Sequence, residues 1–431
     1  VKILWVGDAV VKTGFAKVTH AMVPRLIALG ADVTVLGSSY AGDPHDYPYA
    51  IYPATAGGDA WGVRRVKTLV EQLAPDLVVV QGDPWNVREF LPALSGVVPV
   101  VGYMPIDSQN VPVCKDLNPR TRSDGQTIDG LALAIWYTAF ARDEAVLSGY
   151  TGPSRVVALG IDPTCYAPRP RRDCLKTLGL DANIPTDAFI VGNVNRNQPR
   201  KRLDLTLLYF AAWWDRAGRP DDAYLYLHTS NLDTGPNLMQ LAVRVGLKKR
   251  LIITHKTMRP GAGVAEDIMP SIYSLFDAQL STTQGEGWGL TTMEGMACGV
   301  PQIVPDYAAL GEWPREAVHY VPATLPYVTC RGLNSIGMAP DATSVVDAID
   351  RLADERDYAA DLGRRGRRLV AEARFDQDAL ARQLDTLFRG VVSPAAALPP
   401  DDVVAAEPVA AVPEPRRVRS KTGMVEIAGA R

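Results

Sequence analysis

Short apolar runs separated by amphipathic stretches occur twice along this chain, and that repetition limits the fold more than any other feature. In the first half the runs are VKILWVG (1–7), ADVTVLG (31–37), DLVVVQG (76–82), PVVGYMP (99–105), LALAIWYT (131–138) and RVVALG (155–160). Runs this short and this apolar predict strands buried on both faces. Between them, FAKVTHAMVPRLIAL (15–29) and VRRVKTLVEQL (63–73) place apolar residues at the helical spacing of three to four. Such alternation implies a parallel sheet with helices on both faces.

Residues 163–188 change character. PTCYAPRPRRD and LDANIPTD are rich in proline, charge and turn formers, with one short helical stretch between them. The pattern then restarts with FIVGNVN (189–195), AYLYLHTS (223–230), RLIITHK (250–256), AQLSTT (278–283), PQIVP (301–305) and VHYVP (318–322). A helix is predicted over LDLTLLYFAAWWDRAG (203–218), and three more near 343–354, 356–373 and 376–389. The expected organisation is an α/β fold of two Rossmann-like, doubly wound domains facing a cleft. The first covers 1–165. Residues 166–188 link it to a second at 189–373. A helix at 374–390 would pack back toward the first domain. The Ala/Pro-rich stretch 391–431 is expected to be a disordered tail, its Arg416, Arg417, Arg419 and Lys421 a solvated charge run.

Composition excludes several classes. A formal net charge of −3 gives no whole-chain attraction to nucleic acid or anionic membrane. The five cysteines are scattered and form no CxxC pair, which argues against a disulfide framework or a zinc site and fits a reducing cytosol. No stretch approaches twenty apolar residues, so no transmembrane segment is expected and a cytoplasmic location is. Only one Asp-x-Asp occurs, Asp376–Asp378, and it heads a predicted helix, where capping explains it. No metal is implied.

Ligands of open α/β sheets bind at the carboxyl ends of the strands. Four such places stand out. GEGWGLTTMEGMACGVP (285–301) follows a strand and opens a helix. Its glycines allow a sharp turn and close backbone approach. Beside Gly287 of the turn, the amides of Trp288, Gly289, Leu290 and Thr291 would offer unsatisfied donors at a helix start, an anion site suited to phosphate. Glu286 before the turn and Glu294 one turn into the helix can each accept from a polyol. NVNRNQPRKRLD places Arg196 at a strand end and Lys201 before a helix, two cations able to neutralise a diphosphate. GDAVVKTGFAKVTHAM puts Gly14 and Phe15 at another strand–helix junction, though not as GxGxxG. VVVQGDPWN and GYMPIDSQN place Asp83 and Asp107 just past strand ends, and a long polar loop follows the second. His255 ends a further strand. Tyr273 is expected in the core, Cys298 against the sheet, and Glu312 without clear chemistry.

GEGWGLTTMEGMACGVP resembles the E-x7-E signature of retaining GT-B glycosyltransferases, glycosyltransferase family 4 in particular. The resemblance runs from about residue 1 to 390 and is strongest from 189 to 312. It implies that Glu286 contacts the transferred sugar and Glu294 the ribose hydroxyls. It implies that Arg196 and Lys201 hold the donor diphosphate and that Gly14 and Phe15 meet it from the first domain. Many relatives carry a histidine near Asp107, so this chain departs from the common pattern there; Asp107 is expected near the transferred sugar or the acceptor. His255 is expected near the base. The implied activity is transfer of a hexose-type sugar, with retention, from a nucleotide diphosphate donor, UDP- or GDP-linked, to an acceptor hydroxyl. The acceptor could be a glycan, lipid, protein or modified nucleic acid. No further cofactor is implied. Two alternatives stay open: a nucleotide-sugar epimerase or hydrolase on the same plan, and a nucleotide-sugar-binding protein without turnover.

Overall fold

Unbroken apolar runs pair into two separate parallel sheets, each buried between helices. The computed structural model describes residues 1–231, 233–255, 263–329 and 333–393. The first sheet holds β1 (Lys2–Asp8), β2 (Asp32–Ser38), β3 (Ile51–Pro53), β4 (Leu77–Gln81), β5 (Val100–Met104), β8 (Leu133–Trp136) and β9 (Ser154–Val156), in the order β3-β2-β1-β4-β5-β8-β9. A two-residue pair, β6 (Arg120–Thr121) and β7 (Thr127–Ile128), lies in the long loop before β8. The second sheet holds β10 (Phe189–Val194), β11 (Ala223–Ser230), β12 (Leu251–His255), β13 (Ala278–Leu280), β14 (Gln302–Pro305) and β15 (His319–Val321), in the order β12-β11-β10-β13-β14-β15. Every pairing in both sheets is parallel.

Helices α1 (Gly14–Ala28), α2 (Val63–Leu73), α3 (Pro84–Leu94) and α4 (Ala139–Leu147) belong to the first lobe. The connection carries α5 (Arg171–Thr177), whose Cys174 and Leu175 sink into a core of the second lobe along with Tyr166 and Ile184. The linker is therefore packed on the second lobe. That lobe adds α6 (Leu203–Arg216), α7 (Leu238–Arg244), α8 (Met269–Tyr273), α9 (Leu290–Ala297), α10 (Ala342–Asp354) and α11 (Arg356–Val370).

The last described helix, α12 (Gln377–Val392), returns to the first lobe. Asp376 caps it by accepting from the Ala379 N–H at 2.7 Å. Leu380, Ala381, Leu384, Leu387 and Phe388 enter the same core as Met22, Val23 and Leu26 of α1. Burying an aliphatic or aromatic side chain of this kind contributes about 1.5–3 kcal/mol. Arg25 of α1 adds an ion pair to Asp378 at 2.7 Å.

The structure departs from the sequence reading in three places. An edge strand, β3, was not expected; its three residues are too few for a period to register. The hairpin of β16 (Ala323–Val328) and β17 (Ile336–Pro340) was also missed. Strand β16 is mostly exposed and contains Pro326, so it lacks the apolar run that marks its neighbours. Helix α12 runs to Val392 rather than ending at 390. The tail expected over 391–431, with its basic cluster, lies outside the described residues from 394 onward.

Candidate functional site

A doubly wound sheet opens a crevice where strand order reverses. In the second sheet that point lies between β10 and β13, and the loops leaving these strands carry the charged residues. Lys201, at the end of the β10 loop, forms a hydrogen-bonded ion pair with Glu286 of the β13 loop. Both side chains are about nine-tenths buried, at 13% and 12% exposure. Arg200 reaches the other carboxylate oxygen of Glu286 at 3.6 Å and donates to the carbonyl of Gly285. Its Nε lies 3.1 Å from Oδ2 of Asp107, which stands past the end of β5 in the first lobe. Glu286, Lys201, Arg200 and Asp107 thus form one charged cluster across the two lobes.

Charge states follow from this packing. Burial pushes the Glu286 carboxyl up, but Lys201 and Arg200 together outweigh it and hold it below the usual carboxylate range. Lys201 is brought down to about 8, by burial first and then by repulsion from Arg200, against the pull of Glu286. Asp83, past the end of β4, is pushed up to about 7 by burial and then by Asp107, with Arg200 opposing.

Arg196 does not join the cluster. It is half-exposed and makes two hydrogen bonds to Asp233, at 3.0 and 3.1 Å. Its charge still acts on Asp8 at the end of β1, whose carboxyl is raised by burial against the Thr13 hydrogen bond and Arg196.

Helix α9 begins beside this cluster. Gly289 has φ of 93°, a left-handed value, and starts the helix. Gly285 and Gly287 serve a purpose the sequence did not suggest. A Cβ on Gly285 would overlap the Asp107 carbonyl oxygen, and one on Gly287 would overlap the Pro105 side chain. These glycines permit contact between lobes, beyond any approach to a ligand. The first-turn N–H groups of Leu290 and Thr291 have no acceptor within the helix, as at any helix start. Facing them is the start of α1, where a Cβ on Gly14 would stand 3.5 Å from Leu290. Phe15, Leu290 and Trp288 each pack against the first-lobe core. The Trp288 ring also meets Trp313 and Phe375, at 5.4 and 6.0 Å between centroids. Its side chain is therefore structural, and only its amide fits the expected anion site.

Glu294 is 3% exposed. Its Oε1 accepts from the Lys17 ammonium of α1 at 2.6 Å, and its Oε2 from the Tyr273 hydroxyl at 2.6 Å. Lys17 also lies 3.0 Å from Glu266 and donates to the Tyr166 hydroxyl at 2.9 Å. Burial would lower the Lys17 ammonium's pKa, but Glu294 and Glu266 outweigh it and raise it. Lys17, Tyr166, Tyr273 and Glu266 were not identified as site residues from sequence. Tyr273 is buried as expected, yet its hydroxyl has a polar task. Lys17 and Glu294 are 277 residues apart, and no local pattern links them. Glu294→Ala should lower stability by about 1–3 kcal/mol, the cost of leaving buried polar partners unpaired; Lys17 is a third exposed and retains Glu266, which keeps the loss at the lower end. Urea unfolding with an unchanged slope would check this.

Glu312 also bridges the lobes. Its carboxylate accepts from the N–H groups of Ala139 (3.3 Å) and Phe140, at the start of α4. The backbone at His255 ends β12, but its side chain lies outside the described residues. Among the described residues no group of three or more His, Cys, Asp or Glu is arranged to hold a metal ion, and no helix is long and apolar enough to cross a membrane.

No family model matches the chain. Over 206 residues it is 30% identical to a D-inositol 3-phosphate glycosyltransferase of Mycolicibacterium vanbaalenii, a match covering 46% of this chain and 43% of that protein. The chain thus spans less than half the length of the curated relatives it matches. Its structure is similar to sucrose-phosphate synthase from Thermosynechococcus elongatus, with a TM-score of 0.66 at 17% identity, covering 92% of this chain and 100% of that one. It is also similar to HepE of Anabaena, solved in complex with UDP and glucose, with a TM-score of 0.64 at 16% identity, covering 90% and 99%. The chain has the GT-B fold, and its resemblance in sequence is to glycosyltransferases.

Proposed function

We propose that this chain is a retaining glycosyltransferase that moves a hexose-type sugar from a nucleotide diphosphate donor to an acceptor hydroxyl. The observation that carries the reading is the meeting of Lys201 and Glu286 at the β10/β13 crevice, beside the start of α9 and opposite Asp107. A diphosphate lying between Lys201 and the α9 amides would have its charge neutralised as it leaves. Arg196, at the rim, would exchange Asp233 for the same diphosphate. Glu286, held ionised, would accept hydroxyls of the sugar. Glu294 has lone pairs beyond those used by Lys17 and Tyr273 and would accept from the ribose. Gly14 and Phe15 would close over the phosphates from the first lobe.

The donor is UDP- or GDP-linked; the Anabaena protein of the same fold, solved with UDP and glucose, supports the first. Retention rests on the resemblance to the retaining family. A reducing, cytoplasmic setting is supported by the free thiols of Cys114, Cys165, Cys174 and Cys298.

Thermal denaturation against a panel of UDP- and GDP-sugars tests the donor assignment. A donor present at 100 times its Kd should stabilise the fold by about 2.7 kcal/mol, and a flat response across the panel would remove the proposal's basis. Mass analysis of products separates the reactions, since transfer adds a hexose to the acceptor and epimerisation changes no mass.

A further inference from the structure

We propose that Arg200 is a positioning residue, which completes the sugar site by tying Asp107 of the first lobe to Glu286 of the second. The inference rests on the donor and acceptor assignment above. Asp107 and Glu286 reach the cleft from different sheets, and two carboxylates brought into one closed site repel each other. Lys201 engages only one oxygen of Glu286. Arg200 supplies the missing charge between them. A guanidinium presents five donors in a planar fork, and three acceptors surround this one: Asp107 Oδ2, Glu286 Oε2 and the Gly285 carbonyl.

The loop that carries Asp107 is docked on both flanks. On one side Pro105 packs against Gly287, where any Cβ would overlap it. On the other, Gln109 and Ile336 of β17 exchange backbone hydrogen bonds at 2.8 and 2.7 Å. Asn110 donates to the Asn334 carbonyl at 3.2 Å, and the Tyr307 hydroxyl lies 3.1 Å from the Gln109 nitrogen. Asp107 therefore sits between two fixed points, and Arg200 sets its carboxylate. Ser108 donates to Asp107 Oδ1 at 3.1 Å. A carboxylate has about four lone-pair sites, so capacity remains for an acceptor hydroxyl beside the sugar. Arg200 acts through these two carboxylates and not on the diphosphate.

The test uses the full chain with Arg200→Met, Arg200→Lys, Asp107→Asn and the double variant Arg200→Met/Asp107→Asn. Arg200→Met should lower kcat by about tenfold or more, the scale of lost orientation. Calorimetric affinity for UDP and for GDP should stay within about twofold. Arg200→Lys should remain defective, because one ammonium cannot span both carboxylates. In melting experiments Asp107→Asn should cost less in the Arg200→Met background than alone. Small-angle scattering should show a larger radius of gyration for Arg200→Met, as the carboxylates push the lobes apart. A matching loss of nucleotide affinity would make Arg200 a phosphate ligand and overturn the proposal. So would additive melting shifts with an unchanged radius. If the wild-type chain transfers no sugar, the functional reading fails, yet the melting and scattering results still decide the role of Arg200.

Discussion

Glu286→Gln is expected to reduce sugar transfer by about 10²–10³-fold, the range seen when one preorganised polar contact to a reacting centre is removed. The carboxylate is kept ionised by Lys201 and Arg200. An amide of the same shape has one acceptor oxygen and turns an NH2 group toward two cations. It can neither neutralise them nor accept from sugar hydroxyls on both oxygens. Glu286 sits in the loop before α9 rather than in a hydrophobic cluster, so the variant should remain folded. Product formation by mass, read beside a melting curve, is the measurement. Transfer near the wild-type rate in a folded variant would end the assignment of Glu286 to the sugar.

Lys201→Met is expected to weaken donor turnover by a few kcal/mol in transition-state stabilisation, about 10²–10³-fold. Methionine keeps much of the stem and removes the charge. The effect should also be visible in wild-type protein as pH rises. With its pKa brought down to about 8, Lys201 loses its proton in a range where ordinary lysines keep theirs. Donor kcat/KM, which reports the free enzyme, should therefore fall above about pH 8. The direction of the linked stability separates this from unfolding. A lysine whose folded pKa is depressed binds fewer protons in the folded state between about 8 and the ordinary 10.5. Its contribution to stability therefore increases with pH across that window. A fall in kcat/KM while the melting temperature holds or rises fits titration of Lys201. Lys201→Arg should move the fall to higher pH, and an unchanged profile in that variant would assign it to another group.

How far the sequence predicted this site depends on the range of the interaction. Buried parallel strands are apolar on both faces, so their runs stand out without any partner being known. Each expected charged position follows a strand end because the sheet sets where ligands bind. Lys201 and Glu286 are 85 residues apart, yet both could be picked out because each closes its own strand–loop–helix unit. The contacts between lobes were not legible. Nothing near Lys17 indicates Glu294 or Tyr166, and within the run RKR nothing marks Arg200 apart from its neighbours. Glu312 showed no chemistry in sequence because its partners, two backbone N–H donors, leave no mark in side-chain pattern. The Gly285–Gly287 pair was read for its approach to a ligand, whereas its crowding against Pro105 and Asp107 depends on a neighbour that only the folded chain supplies.

Helix α12 has a consequence for how the molecule is made. Five of its side chains fill part of the core around α1, yet α12 is the last described element to be synthesised. While the chain is still on the ribosome, the earliest lobe keeps an uncovered apolar face until the second lobe has been produced. Its maturation therefore waits on α12, and a chain cut short just after α11 would leave that face open to aggregation.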